Sequence, residues 1–455
     1  MLAGCASYRD RPLSLAKTAK TYESRTLDNP ELKQYIDTNS QRKPTQWPLK
    51  IWELNTLTLA AYYYSPDLDA ARAKWGTATA SVTTAGQRPN PTLYLPFQYT
   101  AASPWTIGQS PWTFGLGLDI PLETAGKRGY RVAQARQLST AALFDIGNAA
   151  WQVGSRVRTQ FLALYSLARQ ASILAQLADK QNRIVAMLNK RIAVGAASAP
   201  EANQALITLM QNRTDLANVQ KQLMVARAQL ASAVGIPIDA LKGIEFRFDA
   251  FERAYPDIET GEAHRLAAFN RADILGALAR YQASQAAVQL EIANQYPDIH
   301  LDPGYSWVEG EKQISFGASG IALPVFNRNQ GPIAEAEAKR SEAEAQVKRL
   351  QAQAFGETDS ALANYRAARD ILKQTDTTLT AQILQLASAR RGFAAGATDR
   401  LTLTLAQQAL DVSQLARQQA LMQVQQAIGR LQDAIQRPLP AAGLTVSSNK
   451  GPPSP

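Results

Sequence analysis

Residue types that commonly carry out chemistry are scarce in this chain of 455 residues. His264 and His300 are its two histidines, and histidine can act as a metal ligand or as an acid–base group. They fall in different predicted elements, and neither has the spaced His, Cys or carboxylate partners that a zinc or copper site requires. The sequence contains no G-x-x-x-x-G-K-[ST] phosphate loop and no G-x-S-x-G nucleophile elbow. It therefore predicts a protein that is not an enzyme, holds no cofactor or metal, and depends on a partner for energy.

Cys5 is the single cysteine of the chain and the last residue of the motif LAGC. This motif is the pattern of a bacterial lipoprotein cleavage site, whose cysteine is lipidated. Only four residues precede Cys5, whereas a signal peptide needs a charged region followed by about seven to fifteen apolar residues. We therefore expect the true start to lie upstream and Cys5 to be a lipidation site. The alternative is an incidental cysteine near the terminus.

The charge balance is basic, with 48 Lys and Arg against 38 Asp and Glu, so nucleic-acid binding is a rival function class. The basic residues are mixed with acidic ones along predicted helices, as between Glu335 and Glu344. This mixture is typical of a solvated helix face, so we predict no nucleic-acid partner. Lys127, Arg128 and Arg131 follow a predicted strand and could contribute a basic ring inside a tunnel.

Two long segments of helix-forming residues follow or contain the basic and acidic residues described above. No proline occurs between Pro121 and Pro200 or between Pro332 and Pro438, and both segments are rich in Ala, Gln, Leu, Arg and Glu. A helix over about 127–194 would extend about 100 Å. Leucines recur every seven residues after position 200, at Leu209, Leu216, Leu223 and Leu230. The spacing predicts coiled packing.

A second apolar seam, interrupted by Gln181, runs through Leu167, Leu174, Leu177, Ile184 and Leu188. Such periodicity predicts helices packed side by side, but it does not by itself predict a membrane protein. On this pattern alone, a soluble coiled-coil scaffold is an equally weighted alternative from the structural class.

Period-two alternation predicts two pairs of strands, at about 91–121 and about 297–324. Each run is about ten residues long, the length of a membrane-spanning β-strand. Aromatic residues such as Trp112 and Trp307 lie near the ends, as in an interfacial girdle. Pro96 and Pro303 are unexpected here because proline donates no ladder hydrogen bond. The alternative is two ordinary half-buried hairpins.

Four strands are too few to close a membrane barrel, and open edges in lipid leave unpaired backbone groups that cost several kcal/mol each. We therefore expect several chains to share one barrel. The sequence has no run of 18 or more apolar residues, which excludes a helical membrane span.

The helices and strands occur twice in the same order, which indicates a duplicated supersecondary unit. Three landmarks of the first copy recur in the second with offsets of 206, 203 and 201 residues: Pro91 as Pro297, Pro121 as Pro324 and Gly195 as Gly396. The predicted fold class is mainly α with a small β part. Long coiled helices would form an α-barrel tunnel, and four strands per chain would contribute to a shared β-barrel.

From about Trp52 to Pro438, this duplicated order, together with LAGC, resembles the TolC-type outer membrane factors of Gram-negative efflux and secretion systems. The segments LETAGKRGYR at 122–131 and LPVFNRNQG at 323–331 resemble the CzcC-like heavy-metal branch. The resemblance implies a homotrimer with a twelve-stranded barrel in outer membrane lipid and a periplasmic helical tunnel. It implies an adaptor and an RND-type inner-membrane pump as partners and heavy-metal cations as cargo. A drug pump or type I secretion duct remains an alternative.

In that family the two glycine turns are periplasmic tips that contact the adaptor. Carried over to this chain, the contacting residues are Arg191, Val194, Gly195, Phe393, Gly396 and Thr398. Glycine supplies the positive φ that ends a helix. Ser198, or Thr398 with Asp399, can cap the helix that follows.

A gate region is also implied near the tips. The best-known family member has acidic residues six and nine positions after the second tip glycine, where this chain has Thr402 and Leu405. Its hydroxyl-bearing aromatic residue, three positions before that glycine, is here Phe393. Glu201 lies six residues after Gly195. The implied gate region of Glu201, Thr402 and Leu405 therefore lacks the acidic ring.

The predicted organisation has five parts. They are a lipoprotein-like, extended segment at 1–50, a first repeat at 51–235, a linker and equatorial region at 236–260, a second repeat at 261–438 and a disordered tail at 439–455. The tail is assigned from its richness in Pro, Gly and Ser.

Overall fold

The computed structural model describes residues 7–40, 46–101, 110–251, 257–308 and 311–439. Over these ranges the chain is mainly helical with a small amount of β-structure, as the sequence predicts. It divides into two compact units. The first unit contains residues 1–68, 149–267 and 354–455, and the second contains residues 69–148 and 268–353.

The N-terminal segment contains two short helices, α1 (Leu15–Glu23) and α2 (Pro30–Asn39). The prediction of an extended segment at 1–50 is therefore wrong for these residues. Asn29 caps α2 by accepting a hydrogen bond from the Glu31 N–H, and Pro30 lies in the first turn, where its missing N–H costs nothing. Arg25 donates hydrogen bonds to the carbonyl oxygens of Tyr64 (3.0 Å) and Gly235 (2.8 Å), which attach the segment within the first unit.

The first repeat follows the predicted order. Its elements are β1 (Ile51–Trp52), α3 (Leu54–Tyr64), α4 (Pro66–Ala85), β2 (Thr92–Tyr94), β3 (Phe97–Tyr99), β4 (Trp112–Leu122), α5 (Lys127–Ala193) and α6 (Ala199–Val234). A segment with two short 3₁₀ helices (Ile238–Leu241 and Asp249–Phe251) and β5 (Glu245–Phe246) comes next. The second repeat consists of α7 (Thr260–Asn270), α8 (Ala272–Ala293), β6 (Ile299–Val308), β7 (Glu311–Ser319), α9 (Gln330–Ala394) and α10 (Arg400–Ile435).

The apolar seams of the long helices pack in the first unit. Leu174 and Leu177 of α5 are buried with Val219 of α6, and Leu415 of α10 packs against them. Gln181, which interrupts the seam in sequence, is buried and donates a hydrogen bond to the carbonyl oxygen of Ala205 at 2.8 Å. Its own side-chain oxygen accepts a hydrogen bond from Gln408 at 2.8 Å. The polar residue therefore bonds α5 to both α6 and α10, because a buried amide must satisfy its donors and acceptors.

The segment between the repeats is held on α5. Strand β5 pairs in parallel with β1, with Trp52 opposite Phe246. The rings of Phe161 and Phe248 lie 4.7 Å apart, and those of Tyr165 and Phe251 lie 5.8 Å apart. These aromatic contacts bury the apolar side of the linker.

A polar cluster ties α5 to α10. The carboxylate of Asp433 accepts hydrogen bonds from Trp151 (2.8 Å), Ser155 (2.7 Å) and Arg158 (2.8 Å). Arg158 also donates to the carbonyl oxygen of Gly429 at 2.9 Å. A Cβ at Gly429 would lie 3.3 Å from the Arg158 guanidinium, so the absence of a side chain allows this approach.

The strands form an antiparallel sheet in the second unit, in the order β2, β4, β6, β7, with β3 also paired to β4. The predicted continuous first strand is interrupted at Leu95 and Pro96 because proline has no N–H to donate. The register nevertheless continues, and the Pro96 carbonyl accepts a hydrogen bond from Gly115 at 2.9 Å. A Cβ at Gly115 would lie 2.5 Å from the Pro96 ring, so glycine is required opposite this proline.

Pro303 lies within β6. The pairing of β6 with β4 includes Gly117 opposite Gly304 and resumes with Ile120 opposite Leu301, on either side of the proline. On the β7 side, Pro303 lies opposite Phe316. The strand therefore accommodates the proline without a shift in register.

The two faces of the sheet differ in polarity, which confirms the predicted alternation. Trp307 lies opposite Phe114 and Tyr305 opposite Leu116 on one face. Phe316, on the neighbouring strand, is 78% exposed. On the other face, the side chain of His300 hydrogen-bonds that of Asp119 at 2.6 Å. An exposed apolar face of this extent indicates a surface covered by lipid or protein.

Candidate functional site

The first glycine turn, tip 1 (Arg191–Glu201), joins α5 to α6. Gly195 has φ +72°, in the left-handed region. The N–H of Ala196 donates to the carbonyl of Arg191 at 2.8 Å, and the N–H of Gly195 donates to that of Ile192 at 3.0 Å. This pair of hydrogen bonds is a Schellman motif, which satisfies the last carbonyls of α5 and ends the helix.

The start of α6 carries a capping box. The Ser198 hydroxyl accepts a hydrogen bond from the Glu201 N–H at 3.4 Å, and the Glu201 carboxylate accepts one from the Ser198 N–H at 3.1 Å. The predicted Ser198 cap is therefore confirmed. Glu201, expected in the gate region, uses its carboxylate in this cap.

The second turn, tip 2 (Gly392–Thr402), joins α9 to α10 and repeats this backbone geometry. Gly396 has φ +72°, the N–H of Ala397 donates to Gly392 at 2.8 Å, and the N–H of Gly396 donates to Phe393 at 3.1 Å. These are the same two bonds as in tip 1, at positions displaced by 201 residues. The two tips are therefore equivalent at the level of the backbone.

The cap of α10 is made by Asp399. Its carboxylate accepts hydrogen bonds from the N–H of Thr402 at 2.8 Å and from the Thr402 hydroxyl at 2.7 Å. The prediction that Thr398 shares in the cap is wrong. Its hydroxyl is buried without a hydrogen-bond partner among the described residues and lies beside Gly392, where a Cβ would be 3.2 Å from it.

The two tips are joined inside the first unit. Arg191 of tip 1 forms an ion pair with Asp399 of tip 2. Leu401 packs against the cluster that contains Ile184 and Leu188 of α5. The backbone turns and the side chains around them therefore form one surface from two parts of the sequence.

A second ion pair, between Lys180 and Asp411, lies further along the same helices, and Asp411 is buried. Sequence reasoning missed both ion pairs, because 208 residues separate Arg191 from Asp399 and 231 separate Lys180 from Asp411. An aspartate just before an apolar-periodic segment did signal the Asp399 cap.

The tip surface is open. Val194 is 78% exposed and Phe393 is 42% exposed. Among the described residues, none beyond the immediate chain neighbours comes within 4 Å of the position that a Cβ would take at Gly195 or Gly396. Leu405, of the predicted gate region, is also exposed on α10. Thr402 is held by Asp399, so each polar member of that region serves a helix cap.

The basic residues at the start of α5 have partners within the second unit. Lys127 is 7% exposed and forms an ion pair with Asp298 at 2.8 Å. Arg131 forms an ion pair with Glu123, and Arg128 donates to the carbonyl of Gly86 at 2.7 Å. Ion pairs therefore neutralise two of the three charges of the predicted basic ring, and the exposed Arg128 is its remaining cation.

Asp298 accepts hydrogen bonds from the Lys127 ammonium and from the Thr124 N–H at 3.0 Å. Burial alone would raise the pKa of this carboxyl, but these two hydrogen bonds and the nearby cation outweigh burial, and the pKa of Asp298 is lowered. Asp298 is therefore the anchor of the junction between β4 and α5.

The histidines lie in separate units. In the first unit, the His264 side chain hydrogen-bonds Asp359 at 2.8 Å and stacks on Phe355 with ring centres 4.8 Å apart. In the second unit, His300 pairs with Asp119. Within the described ranges, no group of three or more His, Cys, Asp or Glu side chains is arranged to hold a metal ion.

The proposed lipidation residue, Cys5, lies outside the described residues. Among the helices of the described ranges, none combines the length and the apolar character needed to cross a membrane.

Comparison with known proteins places these features in a family. The family model described as outer membrane efflux protein matches residues 60–236 and 264–435, which correspond to the two repeats. The chain is 27% identical over 298 residues to the pyoverdine export outer membrane protein OpmQ of Pseudomonas aeruginosa, covering 61% of this chain and 62% of OpmQ. This match spans less than two thirds of that relative.

Two further similarities cover more of the chain. It is 24% identical over 351 residues to the cobalt-zinc-cadmium resistance protein CzcC of Cupriavidus metallidurans, covering 76% of this chain and 80% of CzcC. The crystal structure of the outer membrane protein VceC from Vibrio cholerae superposes with a TM-score of 0.65 at 22% identity, covering 84% of this chain and 95% of VceC. At this identity the superposition shows the fold alone.

Proposed function

This chain belongs to the outer membrane efflux protein family, and on that premise we propose that it is the exit duct of a tripartite efflux system. In this role it conducts cargo passively from an inner-membrane pump and a periplasmic adaptor across the outer membrane. The observation that carries the proposal is the sheet of β2, β3, β4, β6 and β7, which has an exposed apolar face and an edge strand on each side. Such a sheet suits lipid contact if its edges are paired.

Pairing of the edges requires other copies of the chain. In one copy, β2 and β3 lie at one edge of the sheet and β7 lies at the other. Because β2 and β3 share one register on β4, they count as a single interrupted strand, and each copy contributes four strands. If β7 of one copy pairs with β2 and β3 of the next, three copies form a closed barrel of twelve strands. That number is even and within the range of outer membrane barrels. We therefore propose a homotrimer in the outer membrane of a Gram-negative bacterium.

The tips are proposed as the adaptor-binding surface, and three features support this assignment. They are exposed, they are built from both repeats, and their glycines leave space for a partner helix. Arg191, Val194, Gly195, Phe393, Gly396 and Thr398 form this surface. Glu201, Thr402 and Leu405 lie just behind it, where we propose the gate.

The decisive experiment compares Gly396→Leu with Gly356→Leu. Gly396 has a positive φ and an open position. Gly356 is exposed inside α9 and has no positive φ, and no side chain of the described residues crowds the position that its Cβ would take. We expect Gly396→Leu to abolish adaptor capture and efflux while the trimer still forms in mild detergent, and Gly356→Leu to retain all three. If Gly396→Leu loses the trimer as well, the turn serves folding only. If it keeps adaptor binding and efflux, the tip assignment is wrong.

Membrane attachment has a separate test. If the mature protein begins at a lipidated Cys5, the Cys5→Ser variant should lose labelling by a radioactive or clickable fatty acid. The barrel should still insert, because the strands provide most of the membrane burial. Labelling that persists in Cys5→Ser would refute this site.

The proposed cargo is a heavy-metal cation, supported by the alignment with CzcC over 80% of that protein and by the 122–131 and 323–331 segments. The alignment with a pyoverdine export protein supports a second candidate, an organic molecule. Deletion of the gene should raise sensitivity to cobalt, zinc and cadmium salts in the first case. In the second it should raise sensitivity to organic toxins or lower export of a siderophore, with metal tolerance unchanged.

A further inference from the structure

Four exposed cationic side chains lie within six residues of the tip glycines in the sequence. Lys190 lies near the end of α5, Arg390 and Arg391 lie near the end of α9, and Arg400 is the first residue of α10. None of the four forms an ion pair within the part of the chain that the structure describes. Elsewhere on α9, in contrast, Lys339 pairs with Glu335, four residues away.

The acidic groups of the tips are already engaged. Residues 190–201 and 390–402 contain five basic and two acidic residues, a net charge of +3. The carboxylate of Glu201 accepts the hydrogen bond of the capping box. Asp399 caps α10 and pairs with Arg191. The surface therefore presents an excess of positive charge that the chain itself does not neutralise.

Local helix electrostatics accounts for part of this charge but not for all of it. A cation in the last turn of a helix interacts favourably with the helix dipole, which suits Lys190 and Arg391. These two residues occupy equivalent positions, each five residues before its tip glycine. Arg400, however, lies at the N-terminus of α10, where the dipole disfavours a cation. An anionic partner would remove this conflict.

The two tips have the composition of a protein-binding surface. Its centre consists of Gly195 and Gly396 with the exposed side chains of Val194 and Phe393, and the cations lie around it. A small, apolar centre with a charged rim is typical of protein interfaces, and rim charges govern the rate of association and the choice of partner. We propose that the two tips together bind an acidic surface of the periplasmic adaptor. This inference rests on the proposed function and specifies the chemistry of its partner.

The test uses charge reversal at the full tip surface. The variant carries Lys190→Glu, Arg390→Glu, Arg391→Glu and Arg400→Glu. The matched control carries four reversals at exposed cations farther along the chain from the tip glycines, Arg213→Glu, Lys221→Glu and Arg227→Glu on α6 and Lys373→Glu on α9. The full chain in detergent is immobilised and probed with the soluble part of the adaptor encoded in the same gene cluster. We expect the tip variant to lose about tenfold or more in affinity, equivalent to about 1.4 kcal/mol, and the control to change less than about twofold.

Salt and competitors provide independent readouts. Raising the salt concentration from about 50 mM to about 500 mM should weaken adaptor binding to the wild-type chain much more than to the tip variant. Poly-L-glutamate should compete with the adaptor for the wild-type chain, whereas poly-L-lysine should not. If the fourfold variant does not form trimers, the single Arg400→Gln variant should still show a smaller loss of affinity in the same direction.

The outcomes separate this inference from the proposed function. If charge reversal and salt leave adaptor binding unchanged, the inference of an acidic partner is wrong, but the proposed function as an exit duct is not affected. Unchanged adaptor binding with reduced efflux would assign the cations to cargo passage, which also overturns it. A wild-type trimer that captures no adaptor at any salt concentration overturns both.

Discussion

The two repeats share the backbone geometry of their tips and differ at the junctions between strand and long helix. At the tips, Gly195 and Gly396 share φ +72° and the same pair of hydrogen bonds. At the first junction, where β4 leads to α5, Lys127 and Thr124 are bonded to Asp298 of the second repeat.

The second junction, between β7 and α9, is bonded differently. Leu323, Val325 and Phe326 are 77%, 67% and 96% exposed. Asn329, with φ +60°, donates hydrogen bonds to Glu291. The first junction therefore binds a residue of the other repeat, whereas Asn329 binds a residue of its own repeat. The two repeats thus share the backbone geometry of the turn between their long helices. The side-chain hydrogen bonds at each junction depend instead on which segment lies beside it.

The largest expected effect is at the first junction. Lys127→Met leaves the Asp298 carboxylate without its cation and should lower the free energy of local unfolding by about 2 kcal/mol, less than for a fully buried pair because Asp298 is partly exposed. The matched variant is Gln330→Met, at the first residue of α9, which should cost about 0.5 kcal/mol. Hydrogen exchange in the first turns of α5 and α9 measures both. Equal losses of local stability in the two variants would contradict the proposed difference between the two junctions.

A smaller effect should distinguish the caps of the tips. Asp399→Ala removes both a cap and the ion pair with Arg191 and should cost about 1.5 kcal/mol, whereas Ser198→Ala removes a cap alone and should cost about 1 kcal/mol. Hydrogen exchange in the first turns of α10 and α6 is the measurement. In an Arg191→Ala background, Asp399→Ala should cost no more than Ser198→Ala. A persistent excess would mean that the ion pair is not its source.

The shared backbone geometry of the tips predicts equal penalties for equal substitutions. Gly195→Ala and Gly396→Ala should each destabilise their turn by about 1 kcal/mol, because a side chain is disfavoured at positive φ. Gly356→Ala, inside α9, should instead stabilise the helix by about 0.5 to 1 kcal/mol. Thermal unfolding of the trimer in detergent compares the three. Unequal effects at the two tips would show that side-chain surroundings alter the turn.

The smallest effect is the pH dependence of the first junction. Because the pKa of Asp298 is lowered in the folded state, its stabilising contribution is complete above the unfolded value of about 3.9 and is lost as the pH falls through the folded value. The loss should be under about 1 kcal/mol, because Asp298 is partly exposed and its neutral carboxyl still accepts hydrogen bonds. Below about pH 4, the protection of the first turns of α5 against hydrogen exchange should fall in the wild type but not in Asp298→Asn. The β7–α9 junction serves as the internal control.

The sequence by itself determined the elements and their order. Proline-free runs of helix formers gave α5 and α9, alternation gave the strands, and glycines at matching positions gave the tips, because each depends on residues close together in the chain. Membership of the family also followed from this ordered repeat. Alternation alone failed at Pro96, where the missing N–H interrupts the first predicted strand.

Tertiary structure alone decided which side chains meet. The bonds of Lys127 to Asp298, Arg191 to Asp399 and Arg158 to Asp433 join residues 171, 208 and 275 positions apart. Periodicity identifies the buried face of a helix but not the residue that lies against it, since that depends on how distant segments pack. For the same reason, Gln181 interrupts a seam in the sequence, whereas in the folded chain it is the residue that hydrogen-bonds three helices together.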